Sequence, residues 1–101
     1  MAKMTLLSQE LLRALTNEPQ SKEALKDRLH ISEREVRRCV KELRDAGYAI
    51  ASSSRCKGYW LANKIEKEYL IREYLSRIAA EQRTVEALRE GPDLGQMEVE
   101  I

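Results

Sequence analysis

Residues 21–47 read SKEALKDRLHISEREVRRCVKELRDAG, and their reading decides the fold. The stretch predicts two helices joined by a tight turn. The first runs from about Ser21 to Leu29, His30 and Ile31 make the turn, Ser32 caps the second, and Gly47 ends it. Ala24, Leu25, Leu29 and Ile31 supply the apolar positions of the first half. Val36, Cys39, Val40 and Leu43 follow at the i, i+3, i+4, i+7 spacing of a one-sided helix. Ser32 and Glu35 have capping-box spacing, in which each side chain accepts a free N–H at the helix start. Gly47 suits the left-handed position just past a helix end.

The solvent face of the second helix carries the functional signal. With Val36, Val40 and Leu43 turned inward, Arg34, Arg38 and Lys41 fall on the opposite side and Arg37 flanks them. Glu35 and Glu42 fall on the other flank. A basic stripe of this kind suits a DNA major groove, where Arg reads guanine O6 and N7 and either cation neutralises phosphate. The plainer reading is a solvated face laced with i,i+4 pairs such as Arg38–Glu42. The charge distribution favours the first. Residues 30–62 carry seven Lys/Arg against four Asp/Glu, whereas residues 63–90 carry six of each and residues 91–101 carry three acids and no base.

After Gly47 the period changes from helical to alternating. Residues 48–52 predict a strand with Tyr48 and Ile50 on one face. Residues 58–62 predict a second, with Tyr59 and Leu61 on one face, and the polar residues 53–57 make the tip between them. Arg55 and Lys57 at that tip are placed to reach backbone phosphates or an adjacent minor groove. Upstream, Leu6 to Thr16 predicts a scaffold helix with Thr5 as N-cap and Leu7, Leu11, Leu12 and Leu15 on its apolar face. Residues 17–20 break it, because Pro19 biases its predecessor out of the helical region. Lys22, Lys26 and Arg28 are secondary candidates for phosphate contact, with an ordinary charged surface the plainer reading for the lysines. His30 reads as a solvated turn residue.

Residues 6–62 resemble the winged helix-turn-helix domain of the biotin operon repressor type. The matching pieces are Ser21-x-x-x-Leu25, Leu29-x-Ile31-Ser32-x-Arg34-x-Val36, Leu43-Arg44-Asp45-x-Gly47 and Lys57-Gly58-Tyr59-x-Leu61. Cys56 departs from the pattern, standing where glycine is common in that family. The resemblance implies a DNA-binding winged helix. It implies no biotin chemistry, since a ligase domain has no room in 101 residues. The chain is also similar to small winged-helix proteins of phage and prophage gene clusters.

Residues 63–90 predict one long helix with no breaker before Gly91-Pro92. Tyr74, Ile78, Glu81, Val85 and Leu88 step by 4, 3, 4 and 3, a heptad-like seam widened by Leu70, Ile71 and Leu75. A helix this long needs a partner for its apolar stripe, so Tyr74, Ile78, Val85 and Leu88 are the expected dimerisation residues. The alternative is that the helix folds back over Trp60. Residues 91–101 read as a mobile acidic tail, with Met97, Val99 and Ile101 alternating as in an edge strand.

The expected architecture is therefore mainly α with a small β-hairpin. A winged helix-turn-helix domain spans 1–62, a dimerisation helix 63–90 and a tail 91–101. Two cysteines, Cys39 and Cys56, form no metal-ligand pattern and are too few to staple a secreted fold, which points to a cytoplasmic location. No apolar run approaches membrane-spanning length. No catalytic constellation, phosphate loop or small-molecule motif is present, so neither an enzyme nor a cofactor is expected. The expected function is a dimeric, sequence-specific transcriptional regulator that binds double-stranded DNA. The alternatives are a winged-helix adaptor for protein partners and an accessory subunit in phage DNA packaging or replication.

Overall fold

The computed structural model describes residues 4–53, 55 and 58–97. The chain orders itself as α1 (Leu6–Ala14), β1 (Gln20–Ser21), α2 (Lys22–Leu29), α3 (Glu33–Asp45), β2 (Ile50–Ser53), β3 (Gly58–Leu61), α4 (Lys64–Glu90) and α5 (Leu94–Met97). It divides into two compact units, Met1–Leu70 and Ile71–Ile101.

In the first unit, helix boundaries follow local chemistry. Thr5 caps α1 by accepting the Ser8 N–H, and Ser21 caps α2 by accepting the Ala24 N–H. Ser32 and Glu35 close the full capping box on α3. His30 ends α2 in the left-handed region at φ 55°, and Ile31 N–H reaches back to the Lys26 carbonyl at 3.1 Å. Gly47, at φ 100°, turns the chain after α3 so that Tyr48 N–H donates to the Leu43 carbonyl at 2.9 Å. This wrap delays the second strand. It begins at Ile50 and not at Tyr48, whose side chain is exposed.

α1 is shorter than its apolar spacing predicts, ending at Ala14 with Leu15 already extended. The extended exit is needed downstream. It lets the Thr16 carbonyl accept the Leu61 N–H at 2.7 Å, while Gln20 Nε2 closes the Ala14 carbonyl at 2.7 Å. The hairpin is also one strand larger than expected. β1 pairs antiparallel with β3, which pairs antiparallel with β2, in the order β1-β3-β2. Ile50 faces Leu61 and Ser53 faces Gly58 across the hairpin.

The core lies where α1, α2 and α3 meet the sheet. Leu11, Leu25, Val36, Cys39, Leu43 and Ile50 are fully buried. Each large aliphatic side chain among them adds about 1.5–3 kcal/mol relative to exposure. Tyr59 and Leu61 pack against this cluster from one face of β3, as their alternation predicts. The start of α4 belongs to this unit. Asn63 and Glu66 satisfy each other's backbone N–H at 2.9 and 2.8 Å, and Glu66 Oε2 accepts the Trp60 indole N–H at 3.1 Å.

The second unit holds the remainder of α4 and α5. No residue of α4 is buried. Met97 lies in the helical turn Leu94–Met97, where alternation suggested a strand; Val99 and Ile101 lie outside the described residues. Among the described residues no helix is long and apolar enough to cross a membrane.

Candidate nucleic-acid interface

α3 positions the basic stripe by burying its other side. Val36, Cys39, Val40 and Leu43 are all buried, so the helix cannot rotate without exposing them. Arg34, Arg37, Arg38 and Lys41 are then all exposed, on the side opposite that core face.

The acids around the stripe are engaged, each in a distinct way. Glu35 is held by the cap, accepting the Ser32 N–H at 3.1 Å. Glu33 pairs with Lys22 of α2 at 2.6 Å. The hydrogen bond and charge of Lys22 hold the Glu33 carboxyl below the usual carboxylate range, helped by Arg37 and Lys26. The same bond raises Lys22 above the usual ammonium range. Glu42 accepts the Thr5 backbone N–H through Oε1 and lies 3.7 Å from Arg38 Nη1 through Oε2, tying α1 to α3. Lys41 pairs with Asp45 at 2.9 Å. Arg38 and Lys41 are both exposed in these i,i+4 contacts, which contribute only about 0.3–0.5 kcal/mol each, so either cation can exchange its partner for a phosphate. Among the described residues Arg34 and Arg37 have no ion-pair partner.

The structure thus brings Arg34, Arg37, Arg38 and Lys41 together. It places Arg55 on the exposed hairpin tip, with its N–H on the Ser53 hydroxyl at 3.1 Å. Lys57 and Cys56 lie outside the described residues. Lys22, a secondary candidate for phosphate, is committed to Glu33. Tyr74 is half-buried with the Arg77 guanidinium 4.9 Å from its ring centroid. Ile78, Val85 and Leu88 are exposed, at 62%, 39% and 76%.

Arg44 is the site residue that sequence reading passed over. Its Nε donates to the Ile50 carbonyl at 2.9 Å and its Nη2 to the Ser52 hydroxyl at 3.2 Å. The guanidinium fork therefore fastens β2 to the last turn of α3, setting the hairpin's position relative to the stripe. The signal was its place in Leu43-Arg44-Asp45-x-Gly47, one turn before a chain reversal. A groove opens between this hairpin and the helix pair, lined by Lys22, Glu23 and Glu33 on one side and Ser52, Ser53 and Tyr59 on the other.

Two helices set by a cap, a left-handed turn and a second cap, followed by a hairpin sheet, constitute a helix-turn-helix with a wing. No curated protein and no solved structure matches the chain. A family model described as an HTH domain matches residues 7–59, just over half of the sequence and the whole span from α1 into β3. The chain belongs to this helix-turn-helix domain family.

Proposed function

We propose that this protein is a sequence-specific double-stranded-DNA-binding regulator of transcription, acting in the cytoplasm as a homodimer and not as an enzyme. The observation that carries the reading is the stripe of Arg34, Arg37, Arg38 and Lys41, exposed on α3 of a helix-turn-helix while the opposite face is locked in the core. Arg34 and Arg38 enter the major groove and read base edges, and Arg37 and Lys41 hold phosphates. Arg55 and Lys57 hold the wing on the backbone, and Arg44 sets the distance between wing and helix. Two copies, joined through Tyr74, Ile78, Val85 and Leu88 of α4, read two half-sites.

Selection of bound duplexes from a random pool by the full-length chain tests this. A two-fold symmetric consensus is expected. Enrichment of no sequence would reject the regulatory reading. One observation favours an adaptor for protein partners instead: apolar side chains of α4, among them Ile71, Leu75 and Ile78, are exposed. An adaptor would show weak duplex binding and a salt-insensitive protein partner.

A further inference from the structure

The apolar residues of α4 are arranged so that one orientation of self-pairing satisfies them and the other does not. Ile71, Ile78 and Val85 fall at one set of seam positions, and Tyr74, Glu81 and Leu88 at the other, in an unbroken 3-4 alternation. All six lie in the second unit, within one uninterrupted helix, and none is buried.

In a parallel pair each seam residue meets its own copy. Tyr74 then meets Tyr74, and Glu81 meets Glu81 in mid-seam. The groups around that position are Ile78, Gln82 and Val85 of the second helix, none of them a cation. Two carboxylates are thus brought together in a desolvated seam with no cation of the facing helix around them, which is costly; Arg77 of the same helix lies over the Tyr74 ring instead.

An antiparallel pair, registered about the midpoint between Ala79 and Ala80, no longer sets Glu81 against Glu81. Ile71 meets Leu88, the large Tyr74 meets the smaller Val85, and Ile78 meets Glu81. Arg77 adjoins Ile78 on the flank of the seam that borders Glu81, so Glu81 of each copy meets Arg77 of the other. In the structure Arg77 already rests along this flank, over the Tyr74 ring. The seam read backwards is therefore complementary to itself in size and in charge. This self-complementarity is what favours a second copy of the chain over an unrelated protein as the occupant of the face.

We propose that the protein self-associates through an antiparallel pair of α4 helices in which Glu81 of each copy pairs with Arg77 of the other. The proposal rests on the homodimer reading above and assigns its geometry. It places the Lys64 ends of the two helices at opposite ends of the pair, separated along the axis by about 45 Å at ~1.5 Å per residue.

Sedimentation of full-length chains tests it, with circular dichroism confirming that each variant keeps its helix. Arg77→Glu alone and Glu81→Arg alone should each weaken dimerisation by about tenfold or more, because each sets like charges together at two symmetric places. An equimolar mixture of the two single variants should dimerise about as tightly as the parent, since each chain then supplies the charge the other lacks. A parent dimer that Arg77→Glu leaves unweakened would overturn the antiparallel orientation and leave the homodimer reading standing. A parent that stays monomeric at tens of micromolar would overturn both, leaving the face to a different partner.

Discussion

Gly58 of β3 passes so close to Gln20 of β1 that a Cβ on Gly58 would stand 2.7 Å from the Gln20 carbonyl oxygen. The three nearest atoms, Gln20 O, C and N, are all backbone, so no side chain can swing aside. The glycine allows β1 to add to the hairpin, and β1 runs directly into the Ser21 cap of α2. The wing and the helix pair are joined here by main chain. Gly58→Ala should therefore cost about 1–3 kcal/mol in thermal or urea unfolding, in the range of overpacking. It should also weaken DNA binding through a displaced wing. Unchanged stability would mean that β1 separates from β3 without consequence.

Arg44 joins the same parts from the other side. Arg44→Ala removes a bond to the Ile50 carbonyl and one to the Ser52 hydroxyl. Each is worth about 0.5–1.5 kcal/mol, with more lost where a part-buried acceptor is left bare. The expected result is a loss of stability of that order and a larger fractional loss of DNA affinity. Arg44→Lys should not restore it, because an ammonium lacks the planar fork that reaches two acceptors together. Full rescue by Lys would show that charge alone matters at this position.

His30 occupies the left-handed region without being glycine. That conformation costs a non-glycine residue roughly 1 kcal/mol. His30→Gly removes the cost and adds back some unfolded-state entropy, so a net gain of about 0.5 kcal/mol is expected. His30→Val should lose stability, because a branched Cβ fits this region worst. Calorimetry of the two variants should give melting temperatures on opposite sides of the parent. A drop in both would assign the imidazole a contact of its own.

The pair between Lys22 and Glu33 fixes a pH dependence. Glu33 is held below the usual carboxylate range, so its contribution to stability is complete above the unfolded value. It is lost as pH falls through the lowered folded value. Lys22 is raised, so its contribution is present below the unfolded ammonium value and is lost as pH rises through the folded one. Neither window overlaps neutral pH. Urea midpoints should therefore be insensitive to this pair near pH 7, and Glu33→Gln should flatten the acid limb of the stability profile. An acid limb identical in parent and variant would show that the pair does not hold in solution.

Much of this architecture was legible in the sequence because local chemistry set it. Ser32 and Glu35 capped α3, Gly47 took the positive φ, and the spacing of Val36, Cys39, Val40 and Leu43 turned the stripe outward. What could not be read locally was set by long-range main chain. β1 has two residues, straddling the end of the breaker around Pro19 and the cap of α2, and exists only because Gly58 admits it. α1 stops early because Thr16 must receive Leu61. At the site, Arg34, Arg37, Arg38 and Lys41 were visible as one stripe. Lys22 looked available because its partner Glu33 lies eleven positions away, beyond any helical spacing. Arg44 received no role of its own because its acceptors, Ile50 and Ser52, come near only after the chain reverses at Gly47.

The most direct test of the central claim is the affinity of an Arg34→Ala, Arg38→Ala double variant for the duplex selected by the parent, measured by fluorescence anisotropy across a salt series. Both residues are exposed on α3, so the fold should persist. The parent is expected to lose affinity steeply as salt rises, with a log–log slope of about −0.9 for each phosphate neutralised. The variant should lose about 1–3 kcal/mol of specific binding at each base-reading arginine and bind selected and scrambled duplexes almost alike. A variant that still prefers the selected duplex with the parent's affinity would contradict the account, and α3 would not be the reading helix.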